Sequence, residues 1–209
     1  MTKKKKNRRS LEPFVRPAFI LALLITLPAC SSVQESYLHP DYERVDRNSL
    51  KRVRIYAESP SGAPAAVADL MGRMAREYVN QKKNYLIVGI EPAPNPPAVP
   101  IVEEPLDGLI YLRPTRVTKD GDDVHMEIMA MLFRKSGEKV WYALARDTEA
   151  AKNEDLEKMT GVWVRRVGEA VRPYVAPLFV LYKDLFESLP SPVLTEGEEW
   201  EKIELESEW

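Results

Sequence analysis

Cysteine is nearly absent from this sequence of 209 residues, where Cys30 stands alone. An intrachain disulfide is therefore impossible, and a zinc site built on several thiolates is excluded. Histidine is almost as scarce: His39 and His125 are the whole supply, little material for a histidine metal cluster. The catalytic signatures are missing too, with no G-x-S-x-G elbow, P-loop, dinucleotide fingerprint or H-E-x-x-H pair. Excess positive charge is lacking, since 30 basic residues stand against 32 acidic ones. That balance argues against a nucleic-acid binder. Residues 18–27 form an apolar run of ten broken by Thr26, well short of the roughly 20 residues that span a bilayer.

What the chain does have is apolar content of 44 % and charged content of 30 %, enough for a sizeable core in one domain with appendages. Its charge is unevenly spread. Residues 1–29 hold seven Lys or Arg and one Glu, and residues 187–209 hold eight Glu and one Lys. The stretch between them is close to neutral.

The N-terminus reads as an address. Lys3, Lys4, Lys5, Lys6, Arg8, Arg9 and Arg16 precede the run at 18–27, and Pro17 and Pro28 flank it. A positive region followed by a short apolar one is the pattern of a secretory signal, here residues 1–29. Leu27-Pro28-Ala29-Cys30 then resembles the lipobox of bacterial lipoproteins, apart from the proline at the intermediate position. The resemblance implies cleavage between Ala29 and Cys30 and acylation of Cys30. It implies a partner, the lipid membrane, which two or three acyl chains grip stably. Ser31 after the cysteine implies the outer membrane, its inner leaflet, with the domain facing the periplasm. A chance cysteine behind an ordinary signal is the alternative. Arg8-Arg9 also resembles a twin-arginine signal, but Ser10, Leu11 and Glu12 fit that pattern poorly.

Residues 30–49 are polar and without a sustained period, so they are expected to be a tether of up to ~60 Å. The expected domain covers 50–189. Val53, Ile55 and Ala57 alternate with Arg52, Arg54 and Tyr56 as in a half-buried strand. Val67, Leu70, Met71, Met74, Ala75 and Tyr78 recur at helical spacing and predict a helix over 64–80. An apolar run at 85–88 suits a central strand. Six prolines within 91–108 exclude a helix or a central strand there. Strands at 109–118, 124–134 and 140–145 follow, separated by turns holding Asp120-Gly121 and Ser136-Gly137. A helix capped by Asn153 is expected to be interrupted at Pro173, with a second over 176–189. The fold class is α/β (α+β): one domain with a mixed, mostly antiparallel sheet of four to five strands and helices packed on it.

With Met74-Ala75-Arg76-Glu77-Tyr78-Val79-Asn80-Gln81 and the strand at 52–57, the lipobox resembles a poorly characterised group of bacterial envelope lipoproteins. The order of elements is similar to the small α/β domain of lipoproteins that help secrete curli or activate peptidoglycan synthases. The resemblance implies a non-catalytic module that binds an envelope protein partner, without a cofactor. A binder of a small ligand or envelope polymer is the alternative. An aromatic cleft containing Tyr111, Trp141 and Tyr142 would favour the ligand binder, and an open groove or unpaired edge strand the interaction module. No catalytic residue or metal ligand stands out. Asp120, Asp122 and Asp123 read as a hairpin turn, His125 beside Glu127 as a sheet residue, and His39 as a tether residue without a visible partner.

The acidic tail, 190–209, begins after Pro190-Ser191-Pro192, where continuing a helix is disfavoured. Trp200 and Ile203 would share a helix face, whereas Ile203, Leu205 and Trp209 fit an extended strand. A solubilising, disordered tail is one reading. The other is a docking segment for a basic, grooved partner, with Trp200, Ile203, Leu205 and Trp209 as its anchors.

Overall fold

The two faces of one strand organise the protein. In the computed structural model, which describes residues 32–93 and 105–207, Val53, Ile55 and Ala57 of Arg52–Ala57 turn inward to the main core, while Tyr56 belongs to a second apolar cluster. Six strands form the sheet: β1 (Val33–Leu38), β2 (Arg52–Ala57), β3 (Leu86–Pro92), β4 (Gly108–Asp120), β5 (Asp123–Arg134) and β6 (Lys139–Ala150). Their order is β1-β6-β5-β4-β2-β3. Strand β2 runs parallel to both neighbours, and the other pairings are antiparallel. The sheet is therefore mixed as expected, but it has six strands rather than four to five.

Helices α1 (Ala66–Lys82), α2 (Glu157–Val167) and α3 (Arg172–Leu185) contribute to the main core. Leu70, Met71, Met74 and Val79 of α1 meet Leu178, Leu181 and Phe186 against Ile55, Leu132 and Trp141. Fully burying one such side chain contributes about 1.5–3 kcal/mol. The second cluster holds Tyr56, Leu109, Tyr111, Met131 and Phe133, with Ala93 and Leu106 packed on it. Those two residues lie within the proline-rich stretch 91–108, of which 94–104 lie outside the described residues.

Three local expectations need correction. Residues 32–49 are not a free tether. They supply β1 and a π-helical turn, Tyr42–Asp46, whose Tyr42 and Asp46 are both 1 % exposed. Asp46 grips Arg134 through two parallel bonds, Nε to Oδ1 at 2.6 Å and Nη2 to Oδ2 at 2.8 Å. Burial of two anchoring residues overrides the polar composition between them.

The helix break near 170 falls at Gly168, whose φ of 120° suits glycine. Pro173 instead occupies the first turn of α3, where its missing N–H leaves no bond unmade.

The acidic tail contains a helix, α4 (Glu196–Ser207). The sequence carries its start signal, Thr195-x-x-Glu198. The Glu198 carboxylate reaches back to the Thr195 N–H at 2.7 Å, one half of a capping box. Of the domain expectations, the signal segment 1–29 and Cys30 lie outside the described residues, and Ser31–Trp209 forms one compact unit.

Candidate functional site

Strand β1 is an outer strand of the sheet. His39 donates its N–H to Val140 O at 2.7 Å, continuing the β1–β6 ladder. Bonded and non-bonded residues alternate along an antiparallel pair. Tyr37 and Glu35 therefore face β6, and Ser36 and Leu38 turn their backbone N–H and C=O outward. No described strand pairs with that side. Edge strands are usually blunted by proline, lysine or brevity. β1 has neither proline nor lysine; its bulge lies at its start, between Val33 and Glu35, and beyond it Tyr37 is 39 % and Leu38 43 % exposed. Tyr37 stacks on Tyr142 at 5.8 Å, Lys139 Nζ lies 4.3 Å from the centre of the Tyr142 ring, and the Tyr142 hydroxyl bonds Glu35. These contacts hold the aromatic pair beside the open edge.

The opposite border of the sheet is different. Helix α4 packs against β3, the other outer strand. Lys51 Nζ meets Glu198 at 2.7 Å, and Arg52 pairs with Glu201. Arg76 Nη2 donates to Leu205 O and Lys202 Nζ to Lys83 O, each at 2.8 Å. Lys51 and the Thr195 N–H hold the Glu198 carboxyl down at about 2, and the Glu201 carboxylate pushes the Arg52 guanidinium up. Beside α4 a cavity of about 270 Å³ is lined by Arg73, Arg76, Trp163, Arg166 and Glu206 among others.

The anchors anticipated in the tail are not brought together. Trp200 and Ile203 are 64 % and 56 % exposed on α4, and Leu205 is half-buried. Trp209, like Ala29 and Cys30, lies outside the described residues. Docking uses Glu198, Glu201 and backbone carbonyls, which an apolar pattern does not reveal.

The aromatic cleft that would favour a ligand binder is not formed by Tyr111, Trp141 and Tyr142. Trp141 faces the main core, Tyr111 belongs to the second cluster, and Tyr142 packs against that cluster. His39 has partners after all: Nδ1 accepts from Asp41 N at 3.1 Å, and Nε2 lies 3.3 Å from Glu138. His125 Nδ1 sits 2.8 Å from Thr148 Oγ1 across the β5–β6 pair. Asp120 and Asp123 close the β4–β5 hairpin, with Gly121 at a φ of 59°.

No protein-family model matches the chain, and no curated protein matches it. Among solved structures it is similar to the PelC dodecamer from Paraburkholderia phytofirmans, at 14 % identity and a TM-score of 0.37, over 66 % of this chain and 94 % of that one. It is similar to lipoprotein GNA1162 from Neisseria meningitidis at 14 % identity and a TM-score of 0.35, over 56 % and 96 % of the two chains. A third similar structure is the hypothetical protein CT253 from Chlamydia trachomatis, at 8 % identity and a TM-score of 0.40, over 66 % and 93 %.

Proposed function

We propose that this chain is a bacterial lipoprotein, acylated at Cys30, whose domain is a non-catalytic interaction module of the cell envelope. It is held at the inner leaflet of the outer membrane, facing the periplasm. The address rests on Leu27-Pro28-Ala29-Cys30-Ser31 behind a short apolar run. The mode of action rests on one observation, the outward backbone groups of Ser36 and Leu38 on the outer edge of β1, with which no described strand pairs. An extended segment of a partner protein can add there as a further strand, using main-chain hydrogen bonds for affinity and side-chain pockets for specificity.

Ser36→Pro removes an outward N–H and leaves the β1–β6 bonds untouched. It is expected to fold normally by circular dichroism while losing partners that the wild-type protein retains from detergent-solubilised envelopes. Equal recovery of the same partners by both proteins would remove the edge from the reading. Cys30→Ala is expected to abolish incorporation of a fatty-acid analogue, and unchanged labelling would remove the anchor. A ligand-binding role is favoured by one feature, the cavity beside α4, but its 270 Å³ falls just below the ~300–1,000 Å³ usual for such sites.

A further inference from the structure

Helix α4 is attached in an unusual way, because it buries none of its residues. Its six glutamates and one lysine make it strongly acidic. The surface beneath it presents cations: Lys51 is 7 % exposed and Arg76 5 %, with Arg52 alongside, whereas Arg73 and Arg166 in the adjoining cavity are already paired with Asp69 and Glu77. Burying cations without an opposite charge is strongly unfavourable, so this surface is made for an acidic occupant. The present occupant is held by ion pairs and hydrogen bonds rather than apolar packing. The Lys51–Glu198 pair is largely covered and Arg52–Glu201 about a third exposed. Such pairs weaken with salt, and no buried side chain of α4 backs them, so the helix can be exchanged for another acidic segment.

We propose that the groove formed by Lys51, Arg52 and Arg76 is a docking site for an acidic polypeptide segment of a partner protein, and that α4 is its internal stand-in. The contacts favour a polypeptide over a simple polyanion. Arg76 binds a main-chain carbonyl of α4, and Lys83 O takes a lysine ammonium, Lys202 Nζ. An acidic peptide supplies both a carbonyl and an occasional lysine; polyphosphate supplies neither. Helix α4 also packs against β3, the second outer strand, so displacing it exposes part of that strand. This site is separate from the β1 edge and does not depend on the lipid anchor.

The test uses the full chain and poly-L-glutamate as probe at low salt. An internal competitor lowers apparent affinity by the factor with which it occupies the site. The double variant Glu198→Gln/Glu201→Gln, which loosens α4 without removing it, is therefore expected to bind the probe about tenfold more tightly than wild type. Adding Lys51→Gln and Arg52→Gln is expected to abolish that gain. Hydrogen exchange of the α4 amides should accelerate when the probe binds wild type. Equal affinity of wild type and the double variant would overturn the proposal, as would binding that survives loss of Lys51 and Arg52. Displacement of α4 by polyphosphate as readily as by poly-L-glutamate would overturn the assignment to a polypeptide. Circular dichroism of each variant confirms that it is folded.

Discussion

Asp184 in α3 accepts both the backbone N–H of Ser32, at 3.2 Å, and its hydroxyl, at 2.9 Å. Arg146 N donates to Ser32 O at 2.9 Å from the other side. The folded unit is thus already fixed at residue 32. With acylation at Cys30, Ser31 alone separates the lipidated residue from this clamp, a span of at most about 7 Å. On the proposed anchoring, a domain so short of slack is expected to lie against the lipid headgroups, where a tether of 30–49 would let it stand well away.

Reconstitution into vesicles with dansyl-labelled headgroups checks that geometry. A spacer of about 15 Gly and Ser residues after Ser31 adds about 20 Å of average reach. Energy transfer from the domain's tryptophans to the dansyl groups is expected to fall when the spacer is present. Equal transfer with and without it would show that the Ser32 clamp does not set the distance.

The Asp46–Arg134 pair ties the π-helical turn to the end of β5. Asp46 is 1 % exposed, and the Arg134 side chain 19 %. Asp46 pushes the Arg134 guanidinium further up, and Glu138 adds to the effect. Removing one partner leaves a largely buried cation with much of its compensation gone. Asp46→Ala is expected to lower stability by about 3 kcal/mol in urea unfolding. A loss below 1 kcal/mol would mean that Glu138 and water replace the carboxylate.

Which parts of this architecture were legible beforehand follows from what apolar periodicity measures. Strand β2, helix α1 and the β4–β5–β6 meander bury one stripe or alternate residues, and each announced itself. Strand β1 did not, because it leaves five of its six residues exposed, erasing the alternation. Helix α4 was missed for a related reason. Its apolar side chains Trp200 and Ile203 face solvent, and the contacts that dock it are charges and carbonyls. The tail's Glu198 and Glu201 meet Lys51 and Arg52 of the same chain. Thr195-x-x-Glu198 is the feature of the sequence that marks where the helix starts.

Acidification provides a direct handle on α4. The Glu198 carboxyl is held at about 2 in the folded protein, against 4.5 for an ordinary glutamate. A carboxyl depressed by folding contributes its stabilisation fully above the unfolded value and loses it as pH falls through the folded one. Docking of α4 is therefore expected to weaken from about pH 4.5 downward and to be lost near pH 2. Hydrogen exchange of residues 196–207 reads this out, and Glu198→Gln should remove most of the pH dependence. Protection of α4 that is flat across this range would show that the Lys51–Glu198 pair does not hold the helix.

The packing of α1 on β3 rests on a missing side chain. A Cβ placed on Gly72 would lie 2.5 Å from Ile90 Cγ2 and 3.9 Å from Ile90 Cβ. Two effects of Gly72→Ala oppose each other. Alanine favours a helix interior over glycine by about 1 kcal/mol. Forcing a methyl into an occupied space costs about 1–3 kcal/mol. Ile90 is β-branched, so its Cγ2 cannot swing aside without leaving its preferred rotamer. The collision should win, and Gly72→Ala is expected to destabilise the protein by about 1 kcal/mol or more in urea unfolding. Ile90→Ala removes the obstructing methyl, so in that background the same substitution is expected to become neutral or stabilising. A double-mutant cycle measures the reversal as a coupling between the two positions. Equal effects of Gly72→Ala in both backgrounds would place the need for glycine somewhere other than Ile90.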